Sequence, residues 1–334
     1  MPNIIQIAYV DNPDFNLWLD DNYIIQIEEF TYPSSDVLYK MNYNQYCEAL
    51  ERYNTNPQLV LKRIFEKFPT PIAHYLEQAE NNYENPHHRL DLLKSCWESI
   101  IYTIYGLVVG EARHKQIPLK LLGLIKWDKF ESDKVYDKLL IIENILDYVT
   151  SNRLNFECAK IIPISILADI RKLNQERNGF EHAAARNAQQ QSQLYDDLLP
   201  LVKTVLSQMI GLEGVTLFRH FESEQALYPR CEIFNGNSLA GKKGIIALKR
   251  ENYLNIFEYF DKKTVFAQIG DEAFCLAPFI HFMQEIHETN PLICFFKKNK
   301  GGKYKFEVMS KSQDKDFEKS DFDRFVNEFK ALII

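Results

Sequence analysis

The segment Arg177-Asn178-Gly179-Phe180-Glu181-His182 places a permanent cation and a titratable imidazole within six residues. Arginine offers a planar, always-charged fork whose geometry matches phosphate oxygens. Histidine, with a reference pKa of about 6.5, can accept or donate a proton at neutral pH. The two side chains together therefore suit proton transfer beside a negatively charged phosphate.

Cleavage of RNA through its own 2′-hydroxyl is a reaction that uses these groups. It needs a base for the hydroxyl, an acid for the leaving 5′-oxygen and positive charge for the crowded phosphorane. One segment per chain supplies one imidazole, whereas the reaction has two proton transfers. A two-fold dimer with the segments face to face would supply both imidazoles and a pair of arginines. The chemistry therefore predicts a composite site at a dimer interface, with no metal and no cofactor.

Neighbouring polar residues extend the segment. If it begins a helix, Asn178 and His182 share one face, which Asn174 and Arg186 continue on either side. We expect Arg177 and His182 to be catalytic and Asn178 to orient the phosphate or the histidine. We expect Asn174 and Arg186 to bind substrate.

A second basic group lies at Gly241-Lys242-Lys243-Gly244. It lacks the upstream Gly and the trailing Ser or Thr of a phosphate-binding P-loop. It therefore fits either the tip of a hairpin or a contact for RNA or a nucleotide. We include Lys242 and Lys243 among the expected substrate-binding residues.

The cysteines and histidines do not predict a metal site. Cys275, His281, His287 and Cys294 are separated by five or six residues, which fits no structural zinc pattern. The six cysteines of the chain are scattered without CxxC pairs, which favours buried free thiols in a reducing compartment.

Bulk composition limits the class of protein. A chain of 334 residues can hold two or three modest domains, and a net charge of −7 does not suit a protein that coats nucleic acid over its whole surface. It still permits a locally basic cleft. The start of the chain has no basic region before an apolar run, and no stretch approaches ~18 uninterrupted apolar residues. We therefore expect a cytoplasmic protein with no signal peptide and no membrane span.

The middle of the chain has the periodicity of helices that pack together. Apolar residues recur at helical spacing over residues 88–115, 135–149, 164–173 and 194–209. Pro71 is placed to open a helix ahead of them. Four or five antiparallel helices with short links predict an all-α bundle over residues 71–212.

Shorter elements flank this bundle, so the predicted fold class is α+β with several domains. Residues 1–70 predict a small α/β region, with strands at Asn3–Val10 and Tyr23–Phe30. Residues 213–334 predict a C-terminal α+β domain of short aromatic and β-branched strands. The expected turns are Asn235-Gly236 and Gly301-Gly302, and the expected closing helix is Lys319–Leu332.

A helical bundle whose late helix carries Arg-Asn-x-x-x-His resembles the HEPN superfamily of metal-independent endoribonucleases. The resemblance covers roughly residues 70–212 and rests on Arg177, Asn178 and His182 together with the all-helical frame. It implies RNA cleavage by a dimer or higher oligomer, with Arg177 and His182 catalytic. Members often act as toxins or as anti-phage effectors and are usually joined to a sensor or partner domain.

Three alternatives stay open at this level. The segment also fits a solvated helix cap with an Arg177–Glu181 ion pair, since short motifs recur by chance. The bundle also fits a non-catalytic HEPN-like scaffold, or an enzyme that transfers nucleotides and uses the motif to hold a phosphate donor. By fold-level analogy, the C-terminal domain would respond to a regulatory partner or a small-molecule trigger, or restrain the nuclease.

Overall fold

The structure is a computed structural model that describes residues 7–23, 35–81, 85–123, 126–175, 187–220, 230–261, 263–283, 290–311 and 314–333. Its contacts divide the chain into two compact units, Met1–Lys62 and Arg63–Ile334. The segments 71–212 and 213–334, expected as separate domains, both lie in the second unit.

The described elements of the first unit are helices: α1 (Pro13–Tyr23), α2 (Ser35–Met41) and α3 (Tyr43–Thr55). Its core is rich in aromatic side chains: Phe15, Leu19, Leu38, Tyr46, Ala49 and Tyr53. Pro13 opens α1, which its fixed φ favours. Residues 7–10 form no strand, and the rest of the first predicted strand lies outside the described residues, as does the second strand beyond Tyr23.

Helices form most of the second unit, and they follow the apolar spacing of the sequence. Helix α4 (Pro57–Lys67) crosses the unit boundary, and after it come α5 (Thr70–Asn81), α6 (Pro86–His114), α7 (Trp127–Phe130), α8 (Val135–Ser151), α9 (Glu157–Ile161), α10 (Ile166–Gln175), α11 (Ala188–Gln208), α12 (Arg250–Phe257) and α13 (Asp323–Ile333). Short 3-10 turns occupy Leu119–Leu122, Ile210–Gly214 and Lys319–Phe322.

Two antiparallel sheets complete the second unit, so the mixed α+β class is confirmed. The strands are β1 (Val215–His220), β2 (Arg230–Ile233), β3 (Lys242–Ile245), β4 (Phe266–Ile269), β5 (Glu272–Cys275), β6 (Ile280–Met283), β7 (Leu292–Lys300), β8 (Lys303–Val308) and β9 (Asp314–Glu318). The five-stranded sheet has the order β3-β2-β1-β4-β5, and the four-stranded sheet has the order β6-β7-β8-β9. Gly301 and Gly302 have φ of +60° and +84° between β7 and β8, which confirms the predicted hairpin turn.

The long helix α6 is the centre of the second unit. Its sides contact α5, α8 and α11, and its C-terminal half contacts β5 and β6. Two glycines on one face permit the close approach of the strands. A Cβ atom at Gly106 would lie 2.6 Å from the Ile280 side chain, and one at Gly110 would lie 3.0 Å from the Cys275 carbonyl oxygen. The backbone of α6 therefore packs directly against β5 and β6 at these two glycines.

Candidate functional site

The predicted catalytic segment lies outside the described residues. Arg177, Asn178, His182 and Arg186 all fall within residues 176–186, between α10 and α11. The structure therefore describes the helices that precede and follow this segment in the chain, and the residues that pack against them.

Helix α10 holds the segment on its N-terminal side. One face of the helix is buried, with Ile166, Leu167, Ile170 and Leu173 in the core. Arg171 fixes α10 to α8 through a two-pronged ion pair with Glu143, in which Nη1 donates to Oε1 at 2.9 Å. Asn174 follows, half-buried, and its buried Oδ1 atom has no hydrogen-bond partner among the described residues. An open acceptor thus lies directly before the motif.

Helix α11 holds the segment on its C-terminal side and begins with a capping box. The Asn187 side chain accepts from the Gln190 backbone N–H at 2.9 Å, and the Gln190 side chain accepts from the Asn187 N–H at 3.2 Å. This reciprocal pair satisfies two N–H groups that a helix start leaves open. The helix therefore begins at Ala188.

Helices α6 and α11 run in the same direction. Near their starts, the Arg89 guanidinium lies 3.8 Å from the centre of the Tyr195 ring. Beyond their middles both reach α9: Glu111 of α6 accepts from the backbone N–H of Cys158 at 2.8 Å, and Gly211, after α11, packs against Ile161. The helices are therefore not all antiparallel, and the N-terminus of α6 lies beside the N-terminal half of α11.

Helix α10 runs the opposite way. Asp169, in its first turn, accepts from Gln208 at the end of α11 at 3.3 Å. The C-terminus of α10 therefore points toward the N-terminus of α11. The N-terminus of α11, capped by Asn187, lies at the same end of the helical layer as the N-terminus of α6. His87 and His88 lie in the first turn of α6, and 43% of the His87 side chain is exposed. These two histidines directly precede Arg89, whose guanidinium lies over the Tyr195 ring of α11.

Lys242 and Lys243 lie on a strand, so the prediction of a hairpin tip is wrong. They belong to β3, the edge of the five-stranded sheet, where they pair in register with Ile233 and Glu232 of β2. Both lysines are exposed. Asn174 is on α10, which packs on α8 and α11, so this residue and the two lysines occupy separate elements.

A polar cavity that the sequence did not indicate lies at the C-terminal end of α6. It has a volume of about 270 Å³, and its lining includes Arg113, His114, Tyr259 and Glu328. Arg113 is 4% exposed and donates to the carbonyl oxygens of Ala277 and Cys275, both at 2.8 Å. The spacing could not show this burial, because a cation in the last turn of a helix also suits the solvent-exposed end of the dipole.

The charge of Arg113 is compensated from several sides. Glu328 Oε2 lies 3.6 Å from Nε, and the guanidinium carbon lies within 5.5 Å of the ring centres of Tyr259, Phe325 and Phe329. Because its partners are backbone carbonyls, a carboxylate and ring faces, Arg113 ties the link between β5 and β6 to α6 and α13.

All six cysteines are free thiols, and five of them are buried, as predicted, while Cys47 is half-buried. His281 and Cys294 are register partners on β6 and β7, while His287 lies outside the described residues. Within the described ranges, no group of three or more His, Cys, Asp or Glu side chains is arranged to hold a metal ion. Helix α6 has the length and hydropathy to cross a membrane, but 83% of its most apolar stretch is buried in the protein.

Comparisons with protein-family models, with curated proteins and with solved structures give no match.

Proposed function

We propose that this protein is a metal-independent endoribonuclease of the HEPN type. Arg177 would stabilise the negative charge of the phosphorane, His182 would transfer protons, and Asn178 would orient the phosphate or the imidazole. The products would be a 2′,3′-cyclic phosphate and a free 5′-hydroxyl. The observation that carries the proposal is the sequence Arg177-Asn178…His182 in the link between two packed helices.

Features of the described residues support this proposal. The link is tied at both ends to rigid elements, through the Arg171–Glu143 ion pair on one side and the Asn187 capping box on the other. Catalytic groups act best when their supports are fixed by packing and hydrogen bonds. Asn174 adds a buried acceptor without a described partner, suited to a hydroxyl of the substrate or to a side chain of the motif.

The first experiment compares variants of the motif on mixed RNA in the presence of EDTA. His182→Ala and Arg177→Ala should each lower cleavage by about 10²-fold or more, since positioned proton transfer and charge stabilisation are each worth about that much. Glu181→Ala is the matched control, because the helix-cap alternative gives that residue the ion pair with Arg177. Cleavage that survives His182→Ala would contradict the assigned role.

A dimer is part of the proposal, because one motif supplies one imidazole for two proton transfers. Mixing and re-equilibrating wild type with His182→Ala chains tests it. If each site needs both chains, activity should fall as the square of the wild-type fraction. A linear fall would show that one chain cleaves alone.

Variants of His87 and His88 test whether the second imidazole comes from the same chain instead of a second chain. The two histidines begin α6 beside Arg89, which contacts Tyr195 of α11, and we take them as the candidate imidazoles for a reaction within one chain. We expect His87→Ala and His88→Ala to retain cleavage. If either variant lost cleavage and activity in the mixing experiment fell linearly, the second proton transfer would be assigned to that histidine of the same chain.

In the cell, we propose a cytoplasmic toxin or anti-phage effector whose C-terminal segment, 213–334, controls the nuclease. The cavity beside Arg113 is the place where a small-molecule trigger would be sought. Expression of wild type should slow growth, and expression of His182→Ala should not.

Incubation with radioactive ATP tests the two alternative functions. Covalent label on protein or RNA, without RNA fragments, would favour the nucleotide-transferring enzyme. The absence of both label and RNA fragments would favour a non-catalytic scaffold.

A further inference from the structure

Three segments that are distant in the sequence meet at a serine–histidine pair whose residues are not part of the motif. His74 lies on α5, Asn237 follows β2, and Ser310 follows β8. The His74 Nδ1 atom lies 2.9 Å from the Asn237 carbonyl oxygen, and its Nε2 atom lies 3.4 Å from the Ser310 hydroxyl. The imidazole therefore bridges a backbone acceptor and a hydroxyl.

The carbonyl decides which nitrogen of the ring carries the proton. A carbonyl oxygen accepts hydrogen bonds and cannot donate them, so the neutral ring places its proton on Nδ1. The Nε2 atom then presents its lone pair to Ser310, whose hydroxyl is the donor. A base that is oriented by a third group and faces a hydroxyl is the arrangement that activates a serine nucleophile.

The backbone of Ser310 is held in an uncommon conformation. Its φ is +62°, in the left-handed region that residues other than glycine seldom adopt. The Ser310 N–H donates to the hydroxyl of buried Tyr75 at 2.7 Å, and the next N–H, of Lys311, donates to Val308 at 3.2 Å. The side chain nevertheless remains exposed. A strained, well-supported and accessible residue is a reason to look for function.

The orienting carbonyl is also fixed. Asn237 donates its N–H to the Phe65 carbonyl oxygen at 2.8 Å, and the preceding Gly236 donates to Phe68 at 2.8 Å. Gly236 has φ of +80°, and a Cβ atom there would lie 2.8 Å from the Glu66 carbonyl oxygen, so the turn requires glycine. The histidine is therefore oriented by a tight turn and not by a mobile side chain.

We propose that Ser310 is a nucleophile activated by His74, and that the pair accepts acyl groups from small activated esters. Ser310 Oγ attacks the acyl carbon while Nε2 takes the hydroxyl proton. The bond from the acyl carbon to the leaving oxygen then breaks, and the histidine returns the proton to the departing alcohol. Water, deprotonated by the same nitrogen, hydrolyses the acyl-serine and restores the hydroxyl. This activity is independent of RNA cleavage.

A fluorophosphonate probe tests nucleophile activation without a matched substrate. The full-length chain should be labelled at Ser310, as located by peptide mass spectrometry. Ser310→Gly, which relieves the backbone strain, should remove the label, and His74→Asn should slow labelling by at least ten-fold. Ser238→Ala, a nearby hydroxyl outside the pair, should leave the rate unchanged.

The outcomes separate this proposal from the nuclease. His182→Ala should keep full labelling, and Ser310→Gly should keep RNA cleavage. An unlabelled wild type, label on another serine, or equal rates for wild type and His74→Asn would overturn the proposal and leave the pair as a structural hydrogen bond. A burst of p-nitrophenol from p-nitrophenyl acetate, equal to one per chain and absent in Ser310→Gly, would support it.

Discussion

At the scale of single residues, the second unit buries ionisable groups in places where the sequence pattern predicts apolar or exposed positions. Glu111 on α6 is an example: glutamate is seldom fully buried, but this side chain is 0% exposed. Its carboxylate accepts the backbone N–H groups of Glu157 at 2.5 Å and Cys158 at 2.8 Å at the start of α9. Burial raises the pKa of Glu111, and these hydrogen bonds partly offset the rise. The partner is 46 residues away, so periodicity along α6 could not reveal it.

The burial of His281 leads to a prediction of how the stability of the fold depends on pH. His281 is 7% exposed, faces the rings of Phe306, Phe317 and Phe322, and burial lowers its pKa to about 4. The unfolded chain binds the proton near pH 6.5, so stability falls as pH drops from about 6.5 toward 4. The loss from this group should approach roughly 3 kcal/mol.

Urea unfolding of wild type and His281→Phe at pH 7 and pH 4.5 measures this effect. The phenylalanine variant should lose less stability between the two pH values than wild type. Equal losses of stability in the two proteins would mean that the pKa of His281 does not differ between the folded and unfolded states.

At the scale of secondary-structure elements, the sequence predicts the long amphipathic helices but not the bounds of the short strands. The helices α6, α8, α10 and α11 follow their apolar spacing to within a few residues. Most of the described strands have only four to six residues, and their pairing partners are set by tertiary contacts, so the sequence pattern could not define their bounds. The hairpin at Gly301-Gly302 was predictable because its turn chemistry is local.

The packing of α6 against β5 gives a prediction at this scale. Gly110→Val would add a side chain whose Cβ atom lies 3.0 Å from both the Cys275 carbonyl oxygen and the Leu276 side chain. Overpacking should cost about 1–3 kcal/mol in the free energy of unfolding, more than the gain in helix propensity. Gly214→Ala is the control, because nothing lies within 4 Å of its added Cβ atom. Equal stability of the two variants would contradict the close approach.

At the scale of the whole molecule, the second unit joins helices and sheets through polar as well as apolar contacts. Glu131, directly after α7, accepts hydrogen bonds from Asn299 on β7 at 2.9 Å and from Tyr304 on β8 at 2.6 Å. It also accepts from Lys319 at 2.7 Å and from Trp127 at 2.5 Å. Burial alone would raise the pKa of Glu131, but these four donors together lower it. This carboxylate therefore connects the helical layer to the four-stranded sheet.

Replacing that carboxylate should weaken the whole unit. Glu131→Gln keeps the shape but removes the charge and one acceptor, and we expect a loss of about 1–3 kcal/mol in the free energy of unfolding. Glu157→Gln is a matched control, because its carboxylate pairs with the exposed Lys160 one turn along the same helix. Similar unfolding midpoints for the two variants would show that the Glu131 connection contributes little.

The candidate site was predictable from sequence only as a set of residue types. Arg177 and His182 were found because their chemistry is local in the chain, and the flanking helices because their spacing is regular. The pair of His74 and Ser310 was not, since its members are 236 residues apart and meet only through the fold. Lys242 and Lys243 were placed on the wrong kind of element because a lysine pair between glycines fits a turn as well as an edge strand.

The most direct test of the nuclease is the chemistry of the RNA ends. Purified wild type in EDTA should release fragments ending in 2′,3′-cyclic phosphate, and His182→Ala with unchanged folding should release at least about 100-fold fewer. Cleavage that requires an added divalent metal, or that leaves 3′-hydroxyl ends, or that is unchanged in His182→Ala, would contradict the proposed function.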